Sequence, residues 1–430
     1  MPNKGIVVPG TRIALAFMAA MALISLVACG GGGMNSGAMG TTVTASFAGA
    51  TMPSAVAYQA GATGKFQTLT LSGSSVSFTL PSGTSAYGFA YICPTFVAVN
   101  AYSNESIIQA TTTDTTSLAL ACPSLSGSVN ATFDVSAIPG ATSVLLYVNY
   151  WSDQYYATTG SVSLLGIPTG TYDVALVADG ANGTLGIQIQ RGVNITGSTN
   201  IAFPPMTAAD KLGSAPVNIT NVPSNATISG FEPTYQTSGG LSVILDGPFN
   251  GIPQTTYRTV PSGQSQSGDF YLINAGADLA AQSVNAEVSS NTASAVTVAL
   301  PSPLSSLPAP AAAAFPTFNA NTSGFTVKGT VVDSAYTQFQ TPAVNSVAYN
   351  TYIFVTGTWL GTNTTFTVPD LSTLTGFAPT PPSGGREFWG LYSTSGTPLQ
   401  FDTLQQSAIE TFTSPTSLQS ISYGGYFTTP

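Results

Sequence analysis

The 430-residue chain has no histidine, three cysteines and only eight lysines and arginines. Without histidine, Ser-His-Asp and Cys-His catalysis, the usual zinc sites and the commonest general base near neutral pH are all excluded. Any proton transfer would fall to carboxylates, tyrosine or lysine. Charged residues make up 6% of the chain, against about 25% in ordinary soluble proteins. The few cations form no cluster, so nothing neutralises nucleic-acid phosphates or anionic lipid headgroups. No Asp-x-Asp-x-Asp-Gly calcium loop occurs. No glycine-rich loop links a strand to a helix in the manner of a phosphate cradle. The sequence therefore implies no metal and no cofactor, and amphipathic helix patterns are missing as well.

Ser, Thr, Ala, Gly and Asn stand where charges would be. Hydrophobic residues make up 43% and aromatics 10%, enough for packed cores and unlike a disordered composition. The length allows two to four domains.

The chain begins with a short positive region, Lys4 and Arg12, followed by sixteen uncharged residues from Ile13 to Ala28. That run is short for a bilayer span, which needs about 20 residues, and fits the apolar part of a secretory signal. It ends at Leu26-Val27-Ala28-Cys29 and continues into Gly30–Gly33. The stretch resembles the lipobox of bacterial lipoproteins. The resemblance implies cleavage before Cys29, diacylglycerol and a further acyl group such as palmitate on that residue, and anchoring to a membrane, since several chains hold where one is marginal. In that family Asp after the cysteine tends to retain the protein at the inner membrane. Gly30 instead points to the outer membrane or cell surface of a diderm bacterium. Residues 1–28 are then signal peptide and 29–41 a lipidated tether. Removing the signal leaves six basic against seventeen acidic residues, a net charge of −11.

Beyond residue 41 the period is two. Val76, Phe78 and Leu80 alternate with polar residues, as do Tyr87, Phe89 and Tyr91, then Tyr172, Val174 and Leu176, then Val296, Val298 and Leu300. Such alternation, broken by Gly, Pro, Asn and Asp, predicts half-buried antiparallel strands. Asp179-Gly180 and Asn182-Gly183 predict a tight turn. A corner repeats: Leu80-Pro81-Ser82-Gly83, Ile167-Pro168-Thr169-Gly170, Val260-Pro261-Ser262-Gly263 and a degraded Val368-Pro369-Asp370. The prolines lie 87, 93 and 108 residues apart, the size of one small β-sandwich. Pro fixes φ and Gly supplies positive φ, which suits a hairpin corner.

The segment IPTGTYDVALVADG (167–180), with Gly-x-Val openings at Gly127 and Gly329, resembles bacterial prealbumin-like and carboxypeptidase-regulatory-like sandwiches. The resemblance implies structural or adhesive modules without catalytic residues. The fold class is thus all-β, in tandem Ig-like or prealbumin-like antiparallel sandwiches, with modules at 42–123, 124–210, 211–302 and 320–430. The uncharged Pro/Ala-rich stretch 303–319 reads as a semi-rigid linker, and the first three modules abut as a rod.

Cys93 and Cys122 each end an apolar strand before a proline. In an exported protein they are candidates for a disulfide contributing roughly 3 kcal/mol. Two buried thiols are the alternative.

The aromatic run YVNYWSDQYY (147–156) is the most unusual local feature. Strand alternation predicts Tyr147, Asn149 and Trp151 on one face, with Asp153, Tyr155 and Tyr156 on a following turn. Aromatics beside Asn, Asp and Gln suit a sugar platform or protein contact; an aromatic core is the blander alternative. The remaining carboxylates, among them Asp173, Asp179, Glu232, Asp246 and Asp269, are scattered. Arg386-Glu387 next to Phe388-Trp389 reads as a surface ion pair over a core tryptophan. The sequence points to a lipid-anchored envelope protein with a structural or adhesive role, its partner a glycan or protein. A carbohydrate-binding protein using 147–156 is the alternative, and a carboxylate-based glycoside hydrolase ranks last.

Overall fold

The computed structural model describes residues 40–48, 52–97, 100–122, 126–149, 151–167, 169–181, 183–246, 254–303, 310–319, 334–344, 347–363, 365–381, 383–384, 386–395, 400–402, 407–409, 417–428 and 430. The expected signal peptide, Cys29 and most of its tether lie outside the described residues, as does the Gly329 opening.

The described chain is built almost wholly of strands, as alternation predicts. The first module holds β1 (Thr42–Ala48), β2 (Ala55–Ala60), β3 (Gln67–Thr68), β4 (Ser75–Thr79), β5 (Ala86–Val97), β6 (Asn100–Thr111) and β7 (Ser117–Ala121). The second holds β8 (Gly127–Asp134), β9 (Ala141–Val148), β10 (Trp151–Tyr155), β11 (Thr159–Ile167), β12 (Gly170–Gly180), β13 (Gly183–Ile195) and β14 (Ser198–Ala202). The third holds β15 (Gly213–Thr220), β16 (Thr227–Gln236), β17 (Ser242–Ile244), β18 (Thr256–Thr259), β19 (Phe270–Asp278), β20 (Ser283–Ser290) and β21 (Val296–Ala299). The fourth holds β22 (Thr317–Asn319), β23 (Ser334–Val344), β24 (Val347–Thr356), the one-turn helix α1 (Gly357–Leu360), β25 (Thr365–Thr367), β26 (Arg386–Ser395), the short pair β27 (Gln400–Asp402) and β28 (Ser407–Ile409), and β29 (Ser417–Thr428).

The pairing repeats. In each of the first three modules the first strand pairs antiparallel with the fourth and parallel with the seventh, giving β4-β1-β7, β11-β8-β14 and β18-β15-β21. In the fourth module β22 pairs with β25 in the same way. Apart from the short pair β27-β28, the remaining strands form a four-stranded sheet against the small one: β3-β2-β5-β6, β10-β9-β12-β13, β17-β16-β19-β20 and β24-β23-β26-β29. The parallel pair closes each of the first three sandwiches by a crossover, which a hairpin cannot supply.

The Φ-Pro corner stands between the small and the large sheet in all four modules. Leu80, Ile167, Val260 and Val368 plug the core there, each at most 6% exposed. Gly83 turns the first corner at φ 79°, where a side chain would be strained. The degraded fourth copy thus keeps its apolar plug and its place.

The modules do not form a rod. The large sheets of the third, fourth and first modules fuse into one twelve-stranded sheet. One seam is β20 against β29, antiparallel, with Val284 opposite Ile421. The other is β24 along β6, parallel, with Ile353 beside Ile107. The fourth module thereby sits between the third and the first. The expected linker also ends inside the structure: Phe318 in β22 is 1% exposed and stacks on Phe366 of β25 at 5.4 Å. Apolar Phe315 and Phe318 draw this end of the Pro/Ala stretch into the core.

The second module keeps its own large sheet, whose central strands β9 and β12 are buried on both faces. Val144, Leu146, Val148, Val174 and Leu176 face the module's small sheet. Tyr147, Ala175, Val177 and Ile187 join a core shared with the third module. The half-buried strand read from Tyr172, Val174 and Leu176 is therefore buried on its other face too. In the first module an aromatic core of Phe47, Phe78, Phe89 and Tyr91 lies beside the Cys93–Cys122 disulfide. That bond, with Cα atoms 5.4 Å apart, ties β5 of the large sheet to the residue following β7 of the small one. Cys93 lies within its strand, which runs on through Pro94.

Candidate functional site

The aromatic run 147–156 is a hairpin, not a strand followed by a turn. Asn149 takes a left-handed φ of 57°, which asparagine tolerates. The chain reverses there, and β10 returns along β9 with Trp151 opposite Val148 and Tyr155 opposite Val144. Tyr147 and Trp151 consequently face different cores. Tyr147 is buried in the core shared with the third module, where burial, helped by Asp179 and Glu232, raises its hydroxyl pKa. Asn149 is 1% exposed, and its carbonyl accepts from Ser242 N–H of the third module. Trp151 packs partly buried on the second module's core. Asp153 and Tyr155 lie on β10, exposed, so the predicted turn is an edge strand.

What remains on the surface is a rim. Tyr155 is 44% exposed and meets Phe133 edge-on at 6.0 Å. Tyr156 is 80% exposed and donates to Gln154 Oε1 at 3.2 Å. Gln154 in turn donates from Nε2 to Ser143 Oγ and Asp179 Oδ2. Period two sends the side chains of Tyr155 and Gln154 to opposite faces of the sheet. Tyr155 and Tyr156 have correspondingly different neighbours and do not make one flat platform.

Several of the chain's scarce charges gather elsewhere, at the seams between modules. Arg191 on β13 donates through Nη1 to Asp173 Oδ2 at 2.9 Å and through Nη2 to Asp269 Oδ2 at 2.7 Å. Asp173 belongs to the second module and Asp269 to the third. Both carboxylates are buried, with side chains 6% and 1% exposed. Asp173 also accepts from Thr237 Oγ1 at 2.6 Å and Gly192 N–H. Asp269 also accepts from Tyr235 Oη and from the N–H groups of Ser238 and Gln266. Burial pushes the Asp269 carboxyl up, but Arg191, Tyr235 and the two N–H groups outweigh it and hold it below the usual range. Gln264, one residue past the third Pro-Ser-Gly corner, accepts from Ile189 N–H and donates to Asp210 in the second module. The corner motif thus doubles as a docking element. Within the third module Asp246 pairs with Arg258 at 3.5 Å, and burial pushes its carboxyl up to about 6.

A second polar seam joins the first and fourth modules. Glu105 on β6 is 3% exposed. Its Oε1 accepts from Thr351 Oγ1 of β24 at 3.2 Å, and its Oε2 from Ala378 N–H at 3.0 Å. Past the end of β6, Asp114 accepts from Thr356 Oγ1 at 2.8 Å and Thr358 Oγ1 at 2.6 Å. Thr356 is the N-cap of α1.

Arg191, Asp269, Glu105 and Asp114 carry these seams, and no motif marks them. The available signal is context: in a chain with so few charges, an arginine inside an apolar strand pattern calls for a buried partner. The side chains of Arg386–Trp389 lie outside the described residues.

No protein-family model matches the sequence, and no curated protein matches it. Among solved structures, a candidate carbohydrate binding protein from Bacteroides uniformis is 12% identical, matched over 36% of this chain and 90% of its own, with a TM-score of 0.13. A DUF3823 family protein from Bacteroides ovatus is 16% identical over the same shares, with a TM-score of 0.11. Likeness at this level carries no weight for fold or ligand. The all-β sandwich architecture rests on this chain's own strand pairing.

Proposed function

We propose that the chain is a non-catalytic protein of the bacterial envelope, anchored through lipid on Cys29, whose modules form a stiff scaffold at the membrane surface. The observation that supports this reading is the use made of the seam carboxylates. Asp173, Asp269, Glu105 and Asp114 each take hydrogen bonds from a neighbouring module. A catalytic carboxylate faces a cleft where substrate can reach it; these face the donors of an adjoining module. Cell fractionation and mass spectrometry of the wild type and Cys29→Ala test the anchor. Wild-type protein is expected in the membrane fraction with acylated Cys29, and the variant outside it. Soluble wild type, or an unmodified Cys29, overturns the reading.

A second reading is a glycan contact at the β10 rim, favoured by the exposure of Tyr156 beside Gln154, Asp153 and Asp179. An exposed aromatic ring beside amide and carboxylate groups suits contact with a neutral sugar. Tyr156→Ala is expected to abolish binding on a glycan array, and a wild type that binds no glycan removes this reading.

A further inference from the structure

The corner segment of the fourth module, Val368–Pro381, lies as a strap across the seam between β6 and β24. Its residues Leu371, Phe377 and Ala378 are buried. Asp370 and Ser372 form a local turn, with Ser372 N–H donating to Asp370 Oδ1 at 2.9 Å. Three prolines, Pro369, Pro379 and Pro381, stiffen the strap and line a small cavity with Glu105 at its base. The cavity measures about 20 Å³, room for about one water molecule and no ligand.

Glu105 is singular in this place. From β5 it faces Ile92, from β24 Thr351, from the residues before β22 Ala314 and Phe315, and from the strap Ala378. Among the described residues the charged group acting on it is Asp370, of the same sign. Among the described residues no cation compensates the carboxylate. Both protonation states can be satisfied, because the Thr351 hydroxyl donates or accepts while Ala378 N–H only donates. The neutral acid gives its proton to Thr351 Oγ1 and keeps Ala378 on its other oxygen. The ionised form keeps two donors but stays a bare charge among prolines and phenylalanine, which is costly.

We propose that Glu105 is a proton-operated latch: the strap is closed over the β6–β24 seam while Glu105 is neutral and loosens when it ionises. Burial raises the acid from an ordinary 4.5 to about 7, with Asp370 adding to the rise against the two hydrogen bonds. The closed form therefore binds the proton more tightly than the open one. The latch's stabilisation is complete below the ordinary value, drains as pH rises, and is gone once pH passes the closed-state value.

Hydrogen exchange of the full chain, corrected for intrinsic rates, tests this on peptides spanning 371–378, with 172–178 of β12 as internal reference. Protection of the strap is expected to fall on the order of 50-fold between pH 5 and pH 8, while β12 does not follow. Glu105→Gln, whose amide reproduces the neutral pattern, is expected to hold the strap closed across that range. An equal fall in Glu105→Gln, or none in the wild type, overturns the latch. Thr351→Val retains the carboxyl and removes a hydroxyl whose bond to the ionised form is about twice as strong as that to the neutral acid, so its transition moves to higher pH. An unmoved transition in Thr351→Val also overturns the proposal.

Discussion

Single residues decide the seams because charges are so few. Arg191 holds two buried carboxylates from different modules. Arg191→Met leaves both without their cation, and breaking such a buried set costs about 3–5 kcal/mol. Urea denaturation is expected to show that loss, whereas Lys65→Met at the surface leaves the midpoint unchanged. The same joint has a pH signature. The Asp269 carboxyl sits below its ordinary 3.8, so its contribution is present above that value and lost as pH falls through the folded one. A midpoint that stays flat between pH 5 and pH 2.5 would contradict this account. Gly239 shows how tight the site is: a Cβ there would run into the Asp173 carboxylate, and Gly239→Ala is expected to loosen the joint as well.

Elements were legible where side chains alternate between core and water. β4, with Val76 and Phe78 buried between exposed serines and threonines, is such a case, and so is each apolar plug before a corner proline. Leu80→Ala, at a fully buried plug, is expected to destabilise by about 2–5 kcal/mol in denaturant titration. The Cys93–Cys122 bond closes a loop of sequence separation 29, and its reduction is expected to lower stability by roughly 3–4 kcal/mol, read as a urea midpoint shift with and without reductant. β10 was hidden for a physical reason. It is an edge strand whose residues after Trp151 are all exposed, so it carries no alternation to detect. The seams were hidden for another: β6 joins β24, and β20 joins β29, through backbone groups that every residue possesses. Such pairing leaves no side-chain signature. The seam charges carry no local signature because their partners are distant in sequence, Glu105 and Ala378 by 273 positions.

At the scale of the whole molecule, the buried acids give the fold an unusual pH preference. Glu105 at about 7 and Asp246 at about 6 both favour the protonated, acid side. Asp269 resists acid only below its ordinary range. The melting temperature is therefore expected to peak at roughly pH 4–5 and to decline by pH 8, in contrast to the near-neutral optimum of most proteins. A thermal scan across buffers from pH 3 to pH 9 checks this, and a maximum above pH 7 would refute it.

The spatial order of the twelve-stranded sheet, third module, then fourth, then first, bears on how the chain is made. Synthesis delivers the first and third modules well before the fourth, so β6 and β20 stand for a time with bare backbone edges. β29, which follows the rest of the fourth module in the sequence, pairs with both β20 and β26. Assembly is thus a race between late insertion and premature pairing with another copy. A holding factor that masks strand edges would win time for the fourth module, and a truncated chain lacking residues 417–430 would be left as the kernel of an aggregate.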